Sequence, residues 1–134
     1  MKNSTIVIAG AAIVFLVGII FYVNSAPKQP GKLDGFAQCL AEKGVKFYGA
    51  FWCPHCQSQK KLFGSSASKL PYVECSTADG NAQTAVCAQK GIKSYPTWVF
   101  ADGATSTGEL SLDELATRSG CALPVEGEAG AASK

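Results

Sequence analysis

The amino-acid sequence predicts an α/β domain with a central mixed sheet covered by helices on both faces, preceded by one N-terminal transmembrane helix. Three observations support this prediction. The N-terminal segment is apolar and uncharged, strands alternate with helices after it, and a turn motif near the end makes the last two strands antiparallel. Behind the apolar segment, the 134-residue chain has room for one small domain.

The N-terminal apolar segment covers residues 5–23, contains no charge and no proline, and as a helix can cross a hydrocarbon core of about 30 Å. A cleaved signal peptide and a buried soluble helix are the alternatives. Signal peptides usually have a shorter apolar core and a small-residue cleavage site, and here the small residues 24–26 are followed at once by Pro27. We therefore expect residues 1–26 to form an uncleaved anchor. Lysines flank both ends of the apolar segment, so the six cysteines decide its orientation, with the domain outside and the N-terminus in the cytoplasm.

The rest of the chain divides into a polar linker (27–33), a globular domain (34–123) and a small, polar, flexible tail (124–134). At about 3.1–3.6 Å per residue, the linker reaches roughly 20 Å, which holds the domain close to the bilayer and favours a membrane-embedded partner. Because the net charge is only +2 and the lysines are scattered, nucleic-acid binding has no electrostatic support.

The first half of the globular domain reads as helix, strand and helix. Asp34 can cap a helix over residues 34–43, and residues 45–52 are β-branched and aromatic, as in a buried strand. A second helix opens at Cys53, with Pro54 in the first turn, where its missing N–H group costs nothing.

The second half continues the alternation. The predicted elements are a strand over 72–75, a helix over 81–90, and strands over 97–101 and 107–110 joined by a hairpin turn at 102–103. Ser111 is expected to cap the last helix, with Glu114 placed to complete a capping box.

Cys53 and Cys56 lie three positions apart at the predicted start of a helix. The unsatisfied N–H groups and the dipole of that helix end favour negative charge, so we expect Cys53 to be the nucleophile. Cys56 lies one turn inward, where it can resolve a mixed disulfide. A zinc site would need a second pair of ligands, which the sequence does not readily supply, and a purely structural disulfide would gain little stability from so small a loop.

The two residues between the cysteines affect the reduction potential of the Cys53–Cys56 disulfide. His55, the single histidine of the chain, is expected to donate a hydrogen bond to the Cys53 thiolate or to favour it electrostatically. Stabilising the reduced form makes the disulfide a better oxidant. Pro54 stiffens the loop.

Six cysteines are a high and even number for so short a chain, which indicates disulfide chemistry in an oxidising compartment such as the periplasm, the cell exterior or a thylakoid lumen. A Cys75–Cys87 bridge would close a short loop and contribute about 3 kcal/mol; two free buried thiols are the alternative. Cys39 and Cys121, on the first and last helices, either pair with each other or relay electrons to a partner.

The runs FWCPHC, GIKSYPTWVFADG and GELSLDELA resemble the thioredoxin superfamily across residues 34–123. The resemblance implies that Pro96 follows a cis peptide bond and faces the active-site disulfide. It also implies that the backbone of Tyr95 pairs with a bound substrate strand. A plain edge-strand proline is the alternative for Pro96.

A closer resemblance is to the thioredoxin-like domain associated with bacterial vitamin K epoxide reductase homologues, based on FAQCLAEKGVKFYGAFWCPHCQSQKKLFG and LPYVECS. Those domains pass electrons from substrate thiols to a quinone-reducing membrane protein. The resemblance implies two kinds of partner: reduced client proteins and an integral-membrane quinone reductase of that type. We expect no bound cofactor and no metal, with quinone involved only indirectly through the partner.

This chain departs from related families at two points, which bear on the direction of electron flow and on the recognition of clients. Thioredoxins carry a buried acid six residues before the first active cysteine, and this chain has Phe47 at that position. The missing proton acceptor disfavours thioredoxin-style reduction, unless Glu74 lies near enough to take its role. The CPHC motif resembles DsbA-type oxidants, whose helical insert has no room here. Client binding is therefore expected around Trp52, Tyr95 and Trp98, although these aromatic residues could equally belong to the core.

The expected function is that of a membrane-anchored thiol–disulfide oxidoreductase that oxidises client thiols outside the cytoplasm. A tethered thiol reductase or isomerase of the cytochrome c maturation type is the first alternative. A non-catalytic scaffold or metal chaperone is an alternative of another class.

Overall fold

The computed structural model describes residues 12–22 and 29–125. Residues 12–22 are helical (α1) and make up the second half of the predicted apolar span. Residues 1–11 and 23–26 of the predicted anchor, linker residues 27–28 and tail residues 126–134 lie outside the described residues. Within the part of the chain that is described, no helix is both long and apolar enough to cross a membrane.

The globular part alternates helices and strands in the predicted order, with one additional 3-10 helix. The elements are α2 (Asp34–Glu42), β1 (Lys46–Gly49), α3 (Pro54–Leu62), the 3-10 helix (Gly64–Lys69), β2 (Tyr72–Glu74), α4 (Ala85–Gln89), β3 (Thr97–Val99), β4 (Thr105–Thr107) and α5 (Leu112–Ser119).

The four strands form one sheet in the order β2-β1-β3-β4. Strand β1 pairs with β2 in parallel and with β3 in antiparallel orientation, and β3 pairs with β4 in antiparallel orientation. The α/β fold with a mixed sheet is therefore confirmed. Phe47 occupies the centre of this sheet, because its backbone lies opposite Tyr72 on one side and Trp98 on the other.

Successive side chains of β1 point to opposite faces of the sheet. Phe47 joins the larger buried cluster, to which α2 contributes Leu40 and α5 contributes Leu115. Tyr48 joins a smaller cluster with Cys87 of α4. Helices therefore cover both faces of the sheet.

Aromatic rings fill the centre of the larger cluster. The Phe47 and Trp98 rings stack with their centroids 4.5 Å apart and their planes 12° apart. Such offset pairs add about 0.5–1.5 kcal/mol beyond the apolar area that they bury. Because Trp98 is fully buried, it belongs to the core and does not contribute to a client-binding surface.

Several predicted boundaries were wrong. The first strand ends at Gly49 rather than at residue 52, because the chain turns there and the Cys53 N–H group donates to the Ala50 carbonyl. The helix predicted over 81–90 begins only at Ala85, because Gln83 pairs with Ser76 in an isolated bridge.

The ends of the remaining elements also differ from the prediction. The strands at 72–75 and 97–101 end at Glu74 and Val99, one and two residues early. Strand β4 lies at Thr105–Thr107 instead of 107–110, because Val99 pairs with Thr105 across a five-residue turn. Asp34 is the first helical residue rather than the cap of α2.

The start of α5 is as predicted. The Ser111 hydroxyl accepts a hydrogen bond from the Glu114 N–H group, and the Glu114 carboxylate accepts one from the Ser111 N–H group. This capping box satisfies two N–H groups that have no partner within the helix.

Two disulfides close the domain. Cys39 of α2 bonds to Cys121 just after α5, with Cα atoms 5.9 Å apart, so the first and last helices of the domain are neighbours. Cys75 bonds to Cys87 of α4, with Cα atoms 5.5 Å apart. The second bridge closes the segment between β2 and α4.

Candidate active site

Cys53 and Cys56 carry free thiols, whereas the other four cysteines are paired. Cys53 is the N-cap residue of α3, with φ −74° and ψ 120°, and Pro54 follows at the first helical position. Proline fits there because its φ is already helical and its missing N–H group would have no partner within the helix. The first thiol therefore sits at a helix N-terminus, and the second lies inside the first turn.

The Cys53 side chain lies against the loop before β3. Only 5% of this residue is exposed, and its Sγ atom lies 3.7 Å from the Tyr95 carbonyl oxygen. The Tyr95–Pro96 peptide bond is cis, the isomer that the family resemblance implies, and Pro96 is fully buried. The structure thus places the Tyr95 carbonyl next to the first cysteine, and Pro96 is the residue that follows.

Cys56 is more deeply buried, with 1% of the residue exposed. Its sulfur packs on Gly49 of β1 so closely that a Cβ atom at that glycine would lie 2.8 Å from Sγ. Burial raises the pKa of the Cys56 thiol to about 12, while a backbone hydrogen bond with Ala50 and the charge of Lys60 act in the opposite direction. At neutral pH, Cys56 therefore keeps its proton in the reduced domain.

His55 faces solvent, with 71% of its side chain exposed. Its Nδ1 atom lies 2.7 Å from Oε1 of Glu109, which precedes α5. The structure therefore pairs His55 with a carboxylate, and the expected effect of His55 on the Cys53 thiolate stays a prediction.

An aromatic rim borders the first cysteine. Trp52 is 50% exposed, its Nε1–H group donates to the Ser76 hydroxyl over 2.8 Å, and its ring meets the edge of the Tyr95 ring with centroids 6.1 Å apart. The Tyr95 hydroxyl accepts a hydrogen bond from the Gln83 amide over 2.7 Å. The two rings are thus held by the segment that the Cys75–Cys87 bridge closes.

This arrangement can exchange disulfides. A thiolate from outside reaches Cys53 first because Cys56 lies deeper, and the Tyr95 backbone borders the point of attack. Among the described residues, no group of three or more His, Cys, Asp and Glu side chains could hold a metal ion.

Comparison with known proteins agrees with this geometry. Residues 35–118 match the sequence model of the family described as Thioredoxin. The chain belongs to the thioredoxin family. It is also 44% identical over 91 residues to the thiol-disulfide oxidoreductase LTO1 of Arabidopsis thaliana. That match covers 65% of this chain and 24% of LTO1, so the chain spans about a quarter of the length of this relative.

Cys53 and Cys56 are the disulfide-exchange pair of this thioredoxin domain. The position of the thioredoxin acid is occupied by Phe47, which is fully buried against Trp98. Glu74 lies on the neighbouring strand, where its carboxylate accepts hydrogen bonds from the Tyr72 hydroxyl (2.8 Å), the Ser76 N–H group (2.9 Å) and the Phe51 N–H group (3.2 Å). Glu74, the acid that could serve in place of the missing thioredoxin acid, is thus hydrogen-bonded to neighbouring groups at the edge of the site.

Burial raises the pKa of the Tyr72 hydroxyl above its ordinary range, and the hydrogen bond to Glu74 adds to this effect. Tyr72 therefore stays a neutral donor to Glu74 at neutral pH. The Lys60 ammonium group lies over the Tyr72 ring, with its Nζ atom 3.3 Å from the ring centroid.

Sequence reasoning missed Lys60, Gln59 and Glu109. Lys60 follows Cys56 by four positions, a spacing that places both on one helix face and could have identified it. Gln59 is fully buried, and its side chain exchanges two hydrogen bonds with the Leu110 backbone. Nothing in the sequence pattern of the thioredoxin domain indicates the partners of Gln59 and Glu109, because both lie about fifty positions away in the chain.

Proposed function

We propose that this chain is a membrane-anchored thiol–disulfide oxidoreductase that oxidises client thiols outside the cytoplasm. The direction rests on one observation above all: the buried Phe47–Trp98 stack occupies the place of the acid that thioredoxins have beside their resolving cysteine. A reductant needs to remove the proton from Cys56 before that residue can attack a mixed disulfide. In the oxidation of a client, Cys56 needs only to leave and then to take up a proton, and it has to lose that proton only when the domain is reoxidised.

In the oxidising direction, a client thiolate attacks Cys53 Sγ of the Cys53–Cys56 disulfide. The Cys53–Cys56 bond breaks, Cys56 leaves as a thiolate and takes up a proton from solvent, and a mixed disulfide joins the client to Cys53. A second client thiolate then attacks the client sulfur of that mixed disulfide and releases Cys53. The client loses two electrons and two protons in forming its disulfide, and the domain gains the two electrons as a dithiol.

The reduced domain then needs an oxidant. We propose that this oxidant is an integral-membrane quinone reductase of the vitamin K epoxide reductase type. The Cys53 thiolate attacks a disulfide of that protein, whose S–S bond breaks as a mixed disulfide forms. Cys56 then loses its proton and attacks Cys53, which restores the Cys53–Cys56 disulfide and releases the partner as a dithiol. Three features support this partner: the resemblance of the CPHC region to domains associated with such proteins, the short linker, and the apolar span at residues 5–23. The relative LTO1 is named as a thiol-disulfide oxidoreductase, which agrees with exchange chemistry in this chain.

The direction is tested with the purified full chain in detergent. The disulfide form is mixed with reduced, unfolded ribonuclease A, and the dithiol form is mixed with insulin. We expect rapid oxidation of the ribonuclease and slow reduction of insulin, and the Cys53→Ser variant, which keeps the fold but lacks the nucleophile, should do neither. Rapid insulin reduction without ribonuclease oxidation would contradict the proposed direction and favour a tethered reductase.

The membrane partner is tested with a Cys56→Ala variant of the full chain, expressed in the native host cells. Without the resolving thiol, mixed disulfides on Cys53 persist and can be isolated with the membrane fraction. We expect an adduct with an integral-membrane protein that reductant releases and that is missing in the Cys53→Ala, Cys56→Ala double variant. If the adducts contain soluble clients alone, the membrane partner is wrong while the oxidant direction stands.

A further inference from the structure

Lys60 holds a fixed position next to the resolving cysteine. It follows Cys56 by four residues in α3, so the two side chains lie on the same face of that helix. Its Nζ atom lies 3.3 Å from the centroid of the Tyr72 ring, a cation–π geometry. The side chain is half-buried, unlike that of the exposed neighbour Lys61.

The Tyr72 ring is itself fixed against the site. A Cβ atom at Gly49 would lie 2.8 Å from Cys56 Sγ and 2.9 Å from Tyr72 Cε2, so sulfur and ring pack on the same point of β1. The Tyr72 hydroxyl donates to Glu74 over 2.8 Å, which sets the rotation of the phenol. A cation on this ring therefore lies on the same side of β1 as the Cys56 sulfur.

We propose that Lys60 is the charge partner of the resolving cysteine, stabilising the thiolate that forms at Cys56 whenever the disulfide opens or closes, with Tyr72 as the positioning residue for its ammonium group. This inference rests on the proposed exchange chemistry of Cys53 and Cys56, and it holds for either direction of electron flow. In a site where Phe47 stands in place of the thioredoxin acid, a cation on the Tyr72 ring lowers the energy of the transient Cys56 thiolate.

The step concerned is the opening of the disulfide. An attacking thiolate forms a bond to Cys53 Sγ, the Cys53–Cys56 bond breaks, and the electron pair of that bond leaves on Cys56, which then takes up a proton from solvent. A leaving thiol of lower pKa leaves faster. The titratable groups around Cys56 are Cys53 and Lys60 on its own helix and Tyr72 with Glu74 on β2. Lys60 is the cation among them.

The effect should be kinetic rather than thermodynamic at neutral pH. In the fully reduced domain Cys56 holds a proton, so the charge of Lys60 stabilises the transition state and leaves the end state nearly unchanged. Removing the charge should slow opening and closing equally. A merely structural defect would instead alter the stability of the domain and the equilibrium between its disulfide and its dithiol.

The test uses the full chain in detergent and a small thiol, dithiothreitol for rates and glutathione for equilibrium. Disulfide opening is followed by acid quenching and thiol labelling at pH 7. We expect Lys60→Met to slow opening by roughly threefold, because the variant lacks the charge that lowers the pKa of the Cys56 thiol, and a leaving thiol of higher pKa leaves more slowly. The equilibrium constant with glutathione should stay within about twofold of the original value.

Three variants complete the design. Lys60→Arg keeps the charge and should retain most of the opening rate. Lys61→Met removes a neighbouring exposed charge and should leave the opening rate unchanged. Lys60→Gln replaces Lys60→Met if the latter does not fold. Equal opening rates for Lys60→Met and Lys61→Met would overturn the proposal, as would a loss of rate matched by a shifted equilibrium. Because no client and no membrane partner take part, this outcome is independent of whether the chain oxidises proteins.

Discussion

The Nδ1 atom of His55 lies 2.7 Å from the Oε1 atom of Glu109, so the histidine of the CPHC motif is paired with a carboxylate from the segment before α5. The pair carries opposite charges only while the imidazole is protonated. With 71% of the His55 side chain and 39% of the Glu109 side chain exposed, solvent screens it strongly. The predicted effect of His55 on the Cys53 thiolate would therefore be opposed by this carboxylate.

Replacing Glu109 by Gln should make the disulfide a slightly stronger oxidant. The neutral amide can still accept a hydrogen bond from His55 but no longer offsets the charge of the imidazolium, so the Cys53 thiolate of the reduced form gains stability. We expect a shift of about two- to threefold in the equilibrium constant with glutathione, larger at low salt, because exposed pairs contribute little.

The control for this prediction is Asp113→Asn, which removes an exposed acidic charge from the first turn of α5 without touching His55. It should leave the glutathione equilibrium unchanged. If Glu109→Gln and Asp113→Asn shift the equilibrium equally, the effect belongs to overall charge and not to the His55–Glu109 pair.

The reduced domain should lose stability at alkaline pH because of Cys56. Burial raises the pKa of this thiol from the ordinary value of 9.0 to about 12. Above pH 9 the unfolded chain releases a proton that the folded chain retains, so the contribution of Cys56 to stability is complete below pH 9 and falls as the pH rises toward 12. We expect a loss of about 1–2 kcal/mol in the free energy of unfolding by about pH 10.5.

Chemical unfolding of the reduced chain between pH 8 and about 10.5 measures this loss. Other groups titrate in the same range, so the comparison is with the reduced Cys56→Ala variant, which has every other titratable group in common. The difference between the two proteins should grow with pH. Parallel curves would mean that Cys56 titrates alike in both states.

Replacing Gln59 by Leu should destabilise the domain by about 2–4 kcal/mol. The amide of this fully buried side chain donates to the Leu110 carbonyl over 2.9 Å and accepts from the Leu110 N–H group over 2.7 Å. Leucine has a similar volume but leaves both backbone groups buried without a partner, at about 1–3 kcal/mol each. Chemical unfolding measures the change, with the exposed Gln89→Leu as control. A loss below about 1 kcal/mol would mean that water reaches Leu110.

The features that sequence could predict are those fixed by local spacing. The cysteine pair at a helix start, Pro54 in the first turn and the capping box of Ser111 and Glu114 each depend on residues within four positions of one another. The α/β order follows equally from local periodicity and turn residues.

What sequence could not predict depends on long-range contacts. The Cys39–Cys121 bridge spans 82 positions, and the sequence did not indicate that the first and last helices of the domain are adjacent. Gln59 looks like any polar helix residue until the fold places Leu110 against it. Three strand ends were predicted too late because apolar residues, such as Phe51 and Phe100, continue beyond the last paired residue of the strand.

Replacing Trp52 by Ala should impair exchange with proteins more than exchange with small thiols. The ring borders Cys53, is held by the Ser76 hydroxyl and by Tyr95, and is half exposed, as expected of a surface that binds an apolar part of a client. We expect about a tenfold loss in the rate of ribonuclease oxidation, equivalent to about 1.4 kcal/mol, with little change in opening by dithiothreitol. Leu62→Ala, which removes a similarly exposed apolar side chain at the far end of α3, should alter neither rate. An equal loss with both reagents would instead assign Trp52 to the chemistry of the disulfide itself.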